Sequence, residues 1–144
     1  MTDIYKTRDG RGYGLYARRH FSRGDRIGIY KGRRLSNRQL DNLYGSSREI
    51  VAEYAVRVGV NTVIDDYRRE GKISFANDPV DLKRMHSLLR LGYSKHQAYD
   101  KATNKKLQNS ELVVRGGEAV LYATKAIEPR DEIQWSYGVC YWLA

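Results

Sequence analysis

Short runs of β-branched and aromatic residues, each closed by glycine or a polar turn, recur along most of the chain, a pattern of many short strands with little helix. It predicts strands over 14–17, 25–30, 54–58, 62–65, 113–116, 119–123 and 132–136. Two neighbouring pairs read as hairpins. VRVGVNTVID folds back at 59–61, and VVRGGEAVLYA at Gly116-Gly117, a dipeptide that accepts the positive φ of a tight turn. Helix is predicted in three places. Over 36–43, Ser36 caps and Gln39 completes a capping box. A longer helix is expected after Asp78-Pro79, with Asp78 as N-cap and Pro79 in the first turn, Leu82, Met85 and Leu89 on one face, and Gly92 as the stop. Ser94 and Gln97 then repeat the capping box and open a third helix.

With 144 residues the chain fits one domain, 1–144. Hydrophobic residues at 41% and charged residues at 30% are ordinary for a folded globular protein. No apolar run approaches the roughly 20 residues of a membrane span, and the N-terminus lacks the order of a signal peptide. A protein without membrane contact, inside the cell in the nucleus or cytoplasm (of an infected host if the source is viral), is therefore expected. One cysteine, Cys140, rules out an internal disulfide and a multi-cysteine zinc site within one chain, so no metal is expected.

The net charge of +9 is unevenly placed. Residues 1–34 carry ten basic and three acidic side chains (+7), and residues 80–109 carry seven and two (+5). The stretches 35–79 and 110–144 are slightly acidic, at −1 and −2. Two basic segments on so small a chain point to an anionic partner such as nucleic acid or chromatin, although a merely solvated surface has the same composition.

Three segments carry candidate chemistry. In GRGYGLYARRHFSRGDRIGIYKG, the residues Gly12, Tyr13 and Gly14 precede a strand, where a missing Cβ lets backbone approach a ligand. No βαβ unit surrounds these glycines, so a dinucleotide-binding fold does not account for them. EYAVRVGVNTVIDDYRREGKISFANDP offers Tyr54, a hairpin, Ile64-Asp65, Gly71 and then Asn77-Asp78. AVLYATKAIEPRDEIQWSYG supplies two strands and ends on Trp135, Tyr137 and Gly138.

In order and spacing, these motifs resemble the SET-domain family of protein-lysine methyltransferases, and small stand-alone viral-type members in particular. The matching residues are Gly12 and Gly14, Ile64-Asp65 with Gly71, Asn77, and Glu132-Ile133 leading to Tyr137-Gly138. The resemblance implies a mainly β fold of small curved sheets with a few short helices, knotted by a C-terminal segment that passes through a loop near the Asn motif. Here a helical insertion at about 79–108 is added, between Asn77 and the next matching asparagine, Asn109. The resemblance also implies S-adenosylmethionine as cofactor, held by Gly12, Tyr13, Gly14, Asn77, Asp78 and Tyr137, with Trp142 stacked on the adenine. Tyr137 and Tyr54 are the catalytic candidates, and Tyr54, Trp135 and Tyr137 the expected walls of a lysine channel. Trp135 stands where the family sets how many methyl groups fit; if it faces the channel, mono- or dimethylation is expected, and core packing is the alternative. The implied substrate is a basic protein such as a histone tail, and a homodimer is in keeping with viral members.

Asp78 and Pro79 replace the histidine and serine of the family's Asn-His-Ser motif, and the cysteine-rich zinc segment that often follows the last tyrosine is absent. Two other readings stay open at this point. One is a catalytically silent SET-like module that grips a peptide or nucleic acid; the other is a basic nucleic-acid-binding protein using the arginines and tyrosines of the first segment.

Overall fold

The computed structural model describes residues 1–7, 9–44, 54–138 and 141. Among these residues, nine strands and three α-helices follow in the order β1 (Thr2–Lys6), β2 (Tyr13–Ala17), β3 (Arg26–Ile29), β4 (Arg33–Leu35), α1 (Asn37–Tyr44), β5 (Ala55–Gly59), β6 (Thr62–Asp65), α2 (Leu82–Arg90), α3 (Lys95–Ala102), β7 (Ser110–Arg115), β8 (Glu118–Ala123) and β9 (Glu132–Ile133). The strands form three small antiparallel sheets with the orders β1-β2-β9, β3-β8-β7 and β4-β6-β5. A mainly β fold with a helical insertion is what the sequence pattern leads one to expect.

Alternation explains strand β2, the middle of its sheet. In β2, Leu15 and Ala17 point into the core, while Tyr13 is exposed. β8 lies between two partners, and its Ala119, Val120, Leu121 and Ala123 are all buried. Leu15, Phe21, Leu121, Ile127 and Ile133 are fully buried in one cluster that all three sheets share, the third through Val58 and Ile64. Each such side chain contributes roughly 1.5–3 kcal/mol by leaving water. The strands β1 and β4 lie outside the predicted set: Asp3, Lys6, Arg33 and Arg34 break the apolar alternation, and both strands form through edge pairing, with β2 and β6 respectively.

The predicted strand 132–136 is shorter and changes partners. After Glu132–Ile133, Gln134 pairs in parallel with Asn77 and Trp135 in parallel with Ser110. The Trp135 amide donates to the Asn77 carbonyl (3.0 Å), and the Asn109 amide donates to the Gln134 carbonyl (3.1 Å). Residues 134–135 are therefore threaded between the two stretches that flank the helical insertion. The Asn109 side chain fixes them: its Nδ2 donates to the Glu132 carbonyl and its Oδ1 accepts from the Gln134 amide, both at 2.9 Å.

The insertion closes on itself. Val80 pairs with Thr103, the Asp81 amide donates to Ala102, and the Asn104 amide donates to Pro79. Val80, Met85, Ala98, Tyr99 and Ala102 form a second small apolar cluster, with Leu88 and Leu89 packed against it. Both predicted capping boxes, at Ser36/Gln39 and Ser94/Gln97, are present. Gly92 ends α2 as expected, where its amide and that of Tyr93 donate back to Leu89 and Leu88.

Two expectations for α2 need correction. Its N-cap is Asp81, which accepts from the Arg84 amide at 3.1 Å; Asp78 does not cap it and Pro79 is not in its first turn. The Asp78 carboxylate is taken by other partners, and the chain through Val80 is held by its bridge to Thr103, so the helix starts only at Leu82. Leu82, expected on the buried face, is 39% exposed.

Candidate active site

Gly12 and Gly14 meet different needs. Gly12 has a φ of +90°, which an L side chain adopts only with strain, and the Thr7 amide donates to its carbonyl (2.7 Å). At Gly14 the constraint is space: a Cβ there would stand 2.9 Å from Glu132 Oε2 and 3.0 Å from Thr7 Cγ2. The loop thus lies tight against the threaded segment. Arg11 clamps it there, with one guanidinium nitrogen on Glu132 Oε1 (2.7 Å), another on Gln134 Oε1 (2.9 Å), and Nε on Asp9 (2.6 Å).

Asn77 joins the same junction from the opposite side. Its Nδ2 donates to the Tyr13 carbonyl (2.9 Å) and to Glu132 Oε2 (3.3 Å). Tyr137 follows two residues after the threaded Trp135; its hydroxyl donates to the Ala76 carbonyl, and its amide donates to Asp78 Oδ2 at 3.0 Å. Burial, with Tyr141 and Asp78 nearby, pushes the Tyr137 phenol well above its ordinary pKa. The hydroxyl is neutral at physiological pH.

A cavity of about 880 Å³ gathers these parts. Of the residues predicted from sequence, Gly12, Tyr13, Asn77, Tyr54, Trp135 and Tyr137 all line it. Gly14 and Asp78 do not: the first supports the loop from behind, and the second is buried beneath Tyr137. Trp142 lies outside the described residues. Trp135 packs against the main core and also sets its ring 4.7 Å from that of Tyr137, so cavity wall and core packing are not alternatives for it. Tyr54 presents its ring to Arg69, whose guanidinium carbon sits 4.0 Å from its centre and 3.7 Å from that of Phe75.

Two aromatic wall residues, Tyr30 and Tyr141, were missed by sequence reasoning. Tyr30, which follows β3, is buried, and its hydroxyl donates to the Tyr54 carbonyl; burial and the carboxylates of Asp66 and Asp65 raise its pKa. Its only signal was a tyrosine ending an apolar alternation. Tyr141 stacks edge-on with Tyr137 at 4.9 Å, next to the residue that had been singled out.

The family model described as SET domain matches residues 12–138. The chain belongs to the SET-domain family. No curated protein matches it significantly. Members of this family are in general protein-lysine methyltransferases that use S-adenosylmethionine, and the residues here fit that group. The cavity lies within the roughly 300–1,000 Å³ of small-molecule sites. Asn77 commits Nδ2 to the protein, and its Oδ1 has no partner among the described residues, which suits an acceptor for an α-ammonium group. Backbone at Gly12 is open, with nothing within 4 Å of where a Cβ would be.

Proposed function

We propose that this SET domain is an S-adenosylmethionine-dependent protein-lysine N-methyltransferase acting on a histone or a similar basic protein. The observation that carries the reading is that threading of residues 134–135 puts Tyr137, Asn77 and the Gly12 loop on one cavity. When bound, the cofactor supplies a methyl group on a positively charged sulfur.

The chain's own residues would align, desolvate and shield. Gly12, Tyr13 and Asn77 would hold the amino-acid end of the cofactor, and Tyr30, Tyr54, Trp135 and Tyr137 would line the path of the lysine. With the methyl donor bound, these residues would hold the lysine nitrogen in line with the sulfur–methyl bond, and that alignment would supply most of the rate. The amine must first lose a proton to solvent. Its ordinary pKa of about 10.4 falls in an aromatic, water-poor channel beside a cation. Tyr137 has its proton committed to the Ala76 carbonyl, so it offers an incoming amine an acceptor oxygen; a neutral phenol does not act as a phenolate base. The ring faces favour the methylammonium product through cation–π attraction.

Exposed Lys83, Arg84, Arg90, Lys95 and Lys101 on α2 and α3 favour contact with nucleic acid, which supports a substrate in chromatin. Incubation with radiolabelled S-adenosylmethionine and a panel of histones tests the reading. Label is expected in a histone with the wild type and lost with Tyr137→Phe. Cofactor binding without transfer to any protein would favour the silent-module reading instead.

A further inference from the structure

The helical insertion has its own apolar cluster and closes at its own base, yet one of its side chains leaves that cluster to reach the site. Tyr99, on α3, buries its ring against Met85 and Ala98 and donates its hydroxyl to Asp78 Oδ2 at 2.6 Å. The same hydroxyl bonds the Ser136 hydroxyl and accepts from the Gly138 amide at 3.1 Å. Asp78 Oδ2 in turn accepts from the Tyr137 amide. Three consecutive residues, Ser136, Tyr137 and Gly138, are therefore tied to one carboxylate–phenol pair. The carboxylate stands where the family pattern has histidine; the phenol comes from the segment that the pattern lacks.

We propose that Asp78 and Tyr99 are positioning residues for Tyr137, and that the helical insertion serves the reaction by delivering the Tyr99 hydroxyl to the turn that carries it. This rests on the methyltransferase reading. Tyr137 reaches the cavity just beyond the threaded residues 134–135, where the strand pairing has ended, and its hydroxyl must stay on the Ala76 carbonyl to face the acceptor correctly. Displacements near 1 Å at such a group cost up to about 100-fold in rate. The pair acts through Tyr137 and touches neither substrate nor cofactor.

Tyr99→Phe in the full chain is the test, because it removes the hydroxyl and keeps the ring in its cluster. The Tyr137 amide bonds to Asp78, which is unaltered in this variant, so its hydrogen exchange reports whether the network holds the turn. The variant loses the bonds of this hydroxyl to Asp78, Ser136 and Gly138, and exchange at Tyr137 is expected to quicken at least about ten-fold, with amides of α2 and α3 unchanged. kcat is expected to fall about ten-fold, with KM for S-adenosylmethionine within about two-fold. Asp78→Asn, which leaves the apolar cluster intact, should reproduce the kcat loss and serves if the first variant folds poorly. Unchanged Tyr137 exchange, or a loss confined to KM, overturns the proposal. If the wild type methylates nothing, the methyltransferase reading alone fails, and exchange at Tyr137 still decides whether the pair holds the turn.

Discussion

Asn109→Ala probes the threaded junction most sharply. Asn109 is 7% exposed, and Gln134, which it holds, is 3% exposed. Truncation leaves the Glu132 carbonyl and the Gln134 amide without their 2.9 Å side-chain partners, while the Asn109 amide stays on the Gln134 carbonyl. Each orphaned buried group costs about 1–3 kcal/mol. Relief from ordering the asparagine side chain returns less than about 1 kcal/mol. A net loss of about 2–4 kcal/mol is expected, a large share of the 5–15 kcal/mol typical of a domain. Urea unfolding followed by circular dichroism and tryptophan fluorescence measures it, and the melting temperature should fall by roughly 5–15 °C. A change under about 0.5 kcal/mol would mean that the Asn109 side chain does not fasten residues 132–134, and the threading would need another anchor.

Further outcomes follow from other contacts. Gly14→Ala forces its Cβ against Glu132 and Thr7, displacing the carboxylate that meets both Asn77 and Arg11; affinity for S-adenosylmethionine by calorimetry should drop about ten-fold, the scale of one lost hydrogen bond, and an unchanged affinity would refute the link. Asp81→Ala removes the actual α2 cap and should cost about 1 kcal/mol in urea unfolding, with methyl transfer unaffected; a matching drop in kcat would show that the cap serves the site. Burial, then the bond to Asp78, raise the Tyr99 phenol from 10.0 to about 12. The fold therefore holds that proton more tightly than the unfolded chain, and the resulting stability is complete below pH 10 and lost as pH rises to about 12. Wild-type stability should fall more steeply across that window than that of Tyr99→Phe; equal slopes would contradict the buried bond.

The fold was legible where one residue type decides the local geometry. Capping boxes at Ser36 and Ser94 and the hairpin at Gly116-Gly117 need only neighbours in sequence, and all three formed. Edge strands β1 and β4 were not legible, because their charged residues face water and their pairing depends on β2 and β6 being in place. Asp78-Pro79 misled for a related reason: a cap signal is local, and a buried phenol 21 residues away outbid it. At the site, Asn77 and Tyr137 stood out through motif order. Tyr30 and Tyr99 did not, since a tyrosine ending a strand or lying within a short helix carries no sign of which buried carbonyl or carboxylate it will meet.

A crystal structure with S-adenosylhomocysteine tests the central claim most directly. The account predicts its amino-acid end against Asn77 and the Gly12–Tyr13 backbone, with the sulfur facing the Tyr137 hydroxyl across the cavity. Density for the ligand elsewhere on the molecule, or a Tyr137 ring turned away from it, would contradict the claim.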